Sequence, residues 1–108
     1  MIYQISSDNI EMSESMQVLT KEKFSRLESR VEQFDPDSVT LRVVINSVPE
    51  DKFEVKVVAN INGKEYFTDE SHSSLEHAIV ECVSEVIRMV DKDQQKDWEE
   101  IRKAKGKV

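Results

Sequence analysis

The sequence predicts an α+β fold with the element order β-α-β-β-β-α, in which a four-stranded sheet carries two helices on one face. Three observations indicate this fold. Apolar residues recur at helical spacing near both ends of the chain, two central stretches alternate apolar and polar residues, and an Asn-Gly pair follows the second stretch. Each helix has one apolar stripe and the strands have one strongly apolar face, so both helices should cover the same side of the sheet.

The first third of the chain predicts a strand and a helix. Residues 2–7 alternate weakly, with Tyr3 and Ile5 on one side. Ser13 can cap a helix that follows it. The apolar positions of this helix recur at close to helical spacing and are Met16, Leu19, Phe24, Leu27, Val31 and Phe34. Asp35-Pro36-Asp37 should end the helix, because proline disfavours helical backbone in the preceding residue and has no amide donor.

The middle of the chain predicts three strands. Two alternating runs each place their apolar residues on one face, namely Val39, Leu41, Val43 and Ile45, then Phe53, Val55, Val57, Ala59 and Ile61. Asn62-Gly63 favours a type I′ turn, because both positions of that turn need a positive φ. The run Lys64–Thr68 should therefore fold back antiparallel to the run before it.

The last helix should begin after a cap at Ser73 or Ser74. Its broad apolar stripe consists of Leu75, Ala78, Ile79, Cys82, Val83, Val86, Met89 and Val90. Beyond Val90 the large apolar residues are Trp98 and Ile101, so the helix should continue and then fray. We expect one domain over residues 1–96 and a charged tail, which continues or frays the helix, over residues 97–108.

Composition restricts the classes of function. The chain has 108 residues, with 22 acidic and 15 basic side chains and a net charge of −7. This balance argues against non-specific attraction to nucleic acid or to an anionic membrane by the overall field. No apolar run approaches the ~18 residues that span a bilayer, and the start of the chain lacks the features of a secretion signal. We expect a cytoplasmic protein with no membrane partner.

The residue types also point away from catalysis and from metal binding. Cys82 falls on the apolar stripe, rotated away from His77, and is interpreted as a core residue. His77 faces solvent, where it can pair with Glu81 one turn on. The aspartates between residues 91 and 97 lack the glycine and the terminal glutamate of a calcium loop, and a single cysteine with two histidines cannot fill a zinc shell. We expect no enzyme, no metal and no cofactor.

Basic side chains form two ridges on the predicted helices. Three share one flank of the first helix at ~100° per residue, and three are spaced three to four residues apart on the last helix. These two basic ridges are Lys23, Arg26 and Arg30, and Arg88, Lys92 and Lys96. Helices lying side by side would let the ridges bracket a groove that follows a phosphate backbone. The alternative is two ordinary mixed-charge surfaces, in which neighbouring carboxylates neutralise the cations.

Four segments together carry a family resemblance. They are Ile5–Glu14, Lys23–Glu28, the Asn62-Gly63 hairpin, and Ala78-Ile79 followed by Arg88 and Lys92. Their order over residues 1–96 resembles that of the ribosome hibernation-promoting factor and ribosome-associated inhibitor protein Y family, also called sigma-54 modulation or ribosomal subunit interface proteins. The resemblance implies a fold similar to a double-stranded-RNA-binding domain. It also implies a translation inhibitor that binds ribosomal RNA of the small subunit through the basic ridges and occludes the channel of messenger and transfer RNA.

The chain departs from the family pattern at three places. Glu85 stands where the family usually has a lysine. Glu76, in the first turn of the last helix, stands where the family usually has an aromatic residue. Gln94 replaces a second lysine later in that helix. An alternative function is therefore an acidic protein-interaction module that has lost RNA binding. Its partner would be a basic protein, or a second copy bound through the sheet face around Val44 and Val58. We otherwise expect a monomer.

Overall fold

The computed structural model describes the backbone of residues 1–105 and the side chains of residues 1–94. The strands are β1 (Ile2–Ser6), β2 (Val39–Val48), β3 (Lys52–Ile61) and β4 (Lys64–His72), and the α-helices are α1 (Glu14–Phe24) and α2 (Leu75–Lys105). Short 3₁₀ segments cover Ser25–Arg30 and Pro36–Ser38. The predicted element order is confirmed. Within the described residues, no helix combines the length and the apolar content that crossing a bilayer requires.

The four strands form one sheet in the order β1-β2-β3-β4. β1 runs parallel to β2 because the helical connection carries the chain back across the sheet, and the two later pairs are antiparallel hairpins. Ile5, Val43, Val57 and Thr68 lie in one row across all four strands. The predicted register of apolar residues therefore places one apolar face beneath the helices.

The core lies between this face and the apolar sides of α1, the first 3₁₀ segment and α2. Its largest fully buried apolar side chains are Phe24, Leu27, Leu41, Ile45 and Ile79. Thr20 is also buried, and its hydroxyl donates to the Met16 carbonyl at 2.8 Å, so its polar group stays satisfied. The core thus fixes the position of α2 against the first helical region.

The first helical region differs from the prediction of one helix reaching Phe34. α1 ends at Phe24, and the chain continues as the 3₁₀ segment Ser25–Arg30. At the change, the Ser25 hydroxyl donates to the Glu22 carbonyl at 2.6 Å, a local bond that competes with the α-helical pattern. Because a 3₁₀ helix has three residues per turn, Leu27 still points to the same buried side as Phe24.

The hairpin between β3 and β4 has the predicted turn. Asn62 and Gly63 have φ values of 51° and 87°, as a type I′ turn requires. β4 continues to His72, beyond the predicted end at Thr68. Its polar last residues still pair with β3, His72 opposite Phe53, so hydrogen bonding to the neighbouring strand extends β4 where the hydrophobic pattern stops.

The loop between β1 and α1 is tied to the end of β2. The Asn9 side chain donates to the Ser47 carbonyl at 2.7 Å and accepts from the Ser47 amide at 2.9 Å. The Asp8 amide donates to the Asn46 side chain at 2.9 Å. These bonds set the chain for Ser13, whose hydroxyl accepts from the Met16 amide as the predicted cap of α1.

The sheet face opposite the helices has no layer over it in the described part of the chain. We call this the open sheet face, and its apolar residues include Ile2, Val44, Val58 and Phe67. Phe67 is 58% exposed. It lies on the edge strand β4 between Glu65 and Asp69, two exposed acidic residues that point the same way.

Candidate nucleic-acid interface

Three of the predicted basic residues line one open groove between the first helical region and α2. Arg26 enters it from the 3₁₀ segment, and Arg88 and Lys92 enter it from α2. The groove has a volume of about 530 Å³, and its remaining lining residues are Ser84, Ile87 and Asp91. Core packing of Leu27 and Val86 holds the two walls together. The packing of the two helical regions therefore brings together cations that lie more than 60 positions apart in sequence.

Lys23 is not among the residues that line this groove, and its side chain joins two elements. Its Nζ is 3.1 Å from Oε1 of Glu76, which stands in the first turn of α2. The lysine side chain is about one quarter exposed and the glutamate is more exposed. This ion pair connects the end of α1 to the start of α2, and it gives Lys23 a structural contact.

Arg30 forms a second connection between elements. Its Nε is 3.3 Å from Oδ1 of Asp91. Its backbone carbonyl accepts a hydrogen bond from Nε2 of Gln94 at 3.0 Å. Both contacts hold the end of the 3₁₀ segment against α2, so the charge of Arg30 is opposed by a carboxylate that also lines the groove.

Arg88 is paired within its own helix. Its Nη2 is 2.7 Å from Oε2 of Glu85, three residues earlier on α2, and the arginine side chain is 74% exposed. Arg26 and Lys92, by contrast, form no ion pair with the side chains that the structure describes. The side chain of Lys96 lies outside the described residues.

The exposed ridge of α2 therefore changes sign along the helix. It is acidic at Glu81 and Glu85 and basic at Arg88 and Lys92. Near the acidic half, burial and a hydrogen bond to Glu81 raise the pKa of the Glu70 carboxyl on β4. The charge of −7 is thus unevenly distributed, and the groove is the place in the described region where three cations converge.

The groove offers phosphate-binding groups rather than catalytic ones. Guanidinium and ammonium groups donate hydrogen bonds to phosphate oxygens and neutralise their charge. Cys82 is fully buried, its Sγ is 3.5 Å from the Val55 carbonyl oxygen, and burial raises its thiol pKa to about 12. The interpretation of Cys82 as a core residue is confirmed. His77 lies 3.3 Å from Glu81, which is the predicted surface pair.

Sequence reasoning missed two clusters of polar side chains. The rings of His72 and His77 stack at a centroid distance of 4.1 Å. The Tyr66 hydroxyl donates to Oδ2 of Asp93 at 2.8 Å, and Lys64 Nζ lies 3.5 Å from the same oxygen. The second cluster attaches α2 to the β3–β4 hairpin, and no sequence spacing indicates a contact across about 27 positions.

Most of the chain matches a known protein family. A family model described as "Sigma 54 modulation protein / S30EA ribosomal protein" matches residues 3–97. The ribosome hibernation promotion factor of Deinococcus radiodurans is 33% identical over 86 residues, which are 80% of this chain and 44% of that protein. The chain therefore spans less than half the length of that relative.

Solved structures share the fold. The crystal structure of the Thermus thermophilus protein Y N-terminal domain matches with a TM-score of 0.71 and 19% identity, over 84% of this chain and 96% of that one. A ribosomal subunit interface protein from Coxiella burnetii matches with a TM-score of 0.71 and 13% identity, over 88% of this chain and 99% of that one. These matches confirm the predicted α+β fold.

Proposed function

The chain belongs to the sigma 54 modulation and S30EA ribosomal protein family, and from this membership we propose that it binds the small ribosomal subunit. It occupies the channel of messenger and transfer RNA and keeps idle ribosomes inactive in the cytoplasm. The observation that carries this proposal is the convergence of Arg26, Arg88 and Lys92 on one groove in a chain that is otherwise acidic.

The mechanism is occupancy rather than chemistry. Cations in the groove neutralise phosphates of ribosomal RNA, and displaced counterions supply much of the binding free energy. The folded domain then blocks transfer RNA by its volume. Helical RNA is recognised largely by shape and backbone, so a groove with few base-reading groups suits this partner.

Charge reversal in the groove tests the proposal. The Arg26→Glu, Lys92→Glu double variant changes the two cations that have no ion pair among the described side chains, so no described ion pair is broken. We expect its co-sedimentation with purified small ribosomal subunits to be lost at 150 mM salt. The control is Lys52→Glu, Lys56→Glu on β3, away from the groove, which changes the net charge equally.

Retained binding by the control with loss by the groove variant supports the proposal. Equal loss in both variants contradicts it, because overall charge would then decide the binding. Binding that survives the groove variant unchanged also contradicts it, because the groove would then be the wrong surface.

A second candidate function rests on the acidic half of α2 and on Phe67. Glu70, Glu81 and Glu85 crowd one region, and Phe67 offers an exposed apolar contact between acidic neighbours. The acidic region lies on the helix side of the sheet and would suit a basic protein partner, whereas Phe67 would offer a second contact on the opposite, open sheet face. A complex that persists in 0.5 M salt after digestion of ribosomal RNA would favour this function, since binding to RNA phosphates weakens steeply with salt.

A further inference from the structure

The ion pairs of the predicted basic residues differ in the elements that they connect. Lys23–Glu76 and Arg30–Asp91 each join α2 to another element, so they contribute to packing. The Glu85–Arg88 pair joins two residues of α2 only, three positions apart. A single exposed pair of this kind stabilises a helix little. Among the described side chains, the Glu85 carboxylate therefore forms no ion pair that holds α2 against another element.

Glu85 also lies in an unfavourable place for a carboxylate. Its charge adds to the effects that raise the pKa of Glu70, as does the charge of Glu81. Within this crowded acidic region, Glu85 extends to the basic side and reaches Arg88 at 2.7 Å. The pair occupies Nη2 of Arg88, one of the donors through which a guanidinium binds phosphate.

We propose that Glu85 is an internal competitor for phosphate at Arg88, so that Arg88 contributes to RNA binding only when this ion pair is exchanged. This inference rests on the proposed function of the groove. A phosphate that approaches Arg88 must displace the Glu85 carboxylate or accept its repulsion. In the resting protein, Arg26 and Lys92 are then the cations of the groove that bind phosphate without exchange.

The salt dependence of binding separates this competition from a general effect of charge. The slope of log K against log salt concentration counts neutralised phosphates, with ~0.9 per contact on duplex and ~0.7 on single strands. If Glu85→Gln releases Arg88, the slope should become steeper by about one contact. Affinity should rise roughly tenfold at 50 mM salt and about threefold at 200 mM, as the added contact is screened.

Fluorescence anisotropy of the labelled full chain with purified small ribosomal subunits, at 50 to 200 mM KCl, measures both quantities. Glu81→Gln is the matched control, because it removes the same charge one turn earlier on the same ridge. The native Glu81 carboxylate pairs with His77 and not with a cation of the groove. We expect little change of slope in this control. Circular dichroism and thermal unfolding should show both variants folded, because glutamine has nearly the same shape as glutamate and neither carboxylate lies in the buried core.

A double-mutant cycle completes the test. In an Arg88→Gln background, the gain from Glu85→Gln should disappear, because the competed cation is absent. Equal gains from Glu81→Gln and Glu85→Gln with unchanged slopes would overturn the competition. So would a gain that persists without Arg88.

The two proposals fail in different ways. Binding that depends on Arg26 and Lys92 but does not respond to Glu85→Gln contradicts only the competition at Arg88. If neither the wild type nor the Glu85→Gln variant binds small subunits at 50 mM salt, both the competition and the proposed function are wrong.

Discussion

Phe24 and Leu27 are fully buried where α1 changes into the 3₁₀ segment. Together they hold the segment that carries Arg26 against the core. At the other extreme, Phe67 presents a similar aromatic ring to solvent on the open sheet face. The contribution of each ring to stability follows from the area it removes from water rather than from its type.

Truncation of the two rings should therefore have very different effects. Phe24→Ala leaves a cavity in a closed core and should lower the free energy of unfolding by about 3–5 kcal/mol. Phe67→Ala loses little buried area and should lower it by less than about 1 kcal/mol. Urea denaturation followed by circular dichroism measures both, and similar losses would contradict the described burial.

The Cys82 thiol should be unreactive in the native protein. Burial raises its pKa to about 12, with a further contribution from the charge of Glu70, so little of the nucleophilic thiolate exists at pH 8. We expect a disulfide reagent such as dithionitrobenzoate to label the chain rapidly only after denaturation. Rapid labelling of the folded protein would show that the thiol is accessible.

Among the elements, the β3–β4 hairpin depends on backbone conformation more than on contacts. Gly63 has a φ of 87°, and a Cβ at this position would meet no other atom within 4 Å. The cost of a side chain there comes from the left-handed backbone alone.

Gly63→Ala should lower the free energy of unfolding by about 1–2 kcal/mol. Gly63→Asn should recover part of this loss, because asparagine tolerates positive φ better than alanine. Thermal or urea unfolding of the two variants gives the comparison. A larger loss for asparagine would indicate a steric clash instead of backbone strain.

The elements themselves could largely be predicted, and the ion pairs only in part. Periodicity and the Asn-Gly turn locate all four strands and both helices because they report local backbone and burial. The end of α1 could not be predicted, since Ser25 and the core decide between α and 3₁₀ geometry. Lys23–Glu76 needs a contact across 53 positions, whereas Glu85–Arg88 follows from helical spacing alone.

For the molecule as a whole, two acid groups, one buried thiol and one half-buried phenol, make alkaline pH destabilising. Burial raises the pKa of Tyr3 from 10.0 to about 12, with a smaller effect of Glu28, and the pKa of Cys82 from 9.0 to about 12. The unfolded chain releases these protons at the lower, ordinary values. The stability that these groups contribute is therefore complete below pH 9 and declines as pH rises toward 12.

The urea concentration at the unfolding midpoint should accordingly decrease as the pH is raised from 8 to 11. Tyr3→Phe with Cys82→Ala should reduce this fall, because neither replacement ionises. The comparison concerns the dependence on pH rather than the absolute midpoint, which the smaller side chain at position 82 also changes. An unaltered dependence in the double variant would assign the alkaline loss to other groups.

Basic and acidic side chains are concentrated on separate surfaces of the molecule. The groove, the acidic half of α2 and the open sheet face occupy different places, so net charge alone is a poor guide to the partner. The cations of the groove could be identified from helical spacing, but their convergence depends on the packing of α2 against the 3₁₀ segment. The sequence therefore indicates candidate residues, and tertiary structure selects which of them share a surface.

The charged residues of the edge strand β4 affect how readily the protein associates with itself. An unpaired strand edge exposes a protein to self-association by edge-to-edge pairing, above all at high concentration. Lys64, Glu65 and Asp69 place charges along that edge, and a neighbouring copy of the strand would bring like charges together. These charges thus allow the protein to reach a high concentration without forming continuous sheets between molecules.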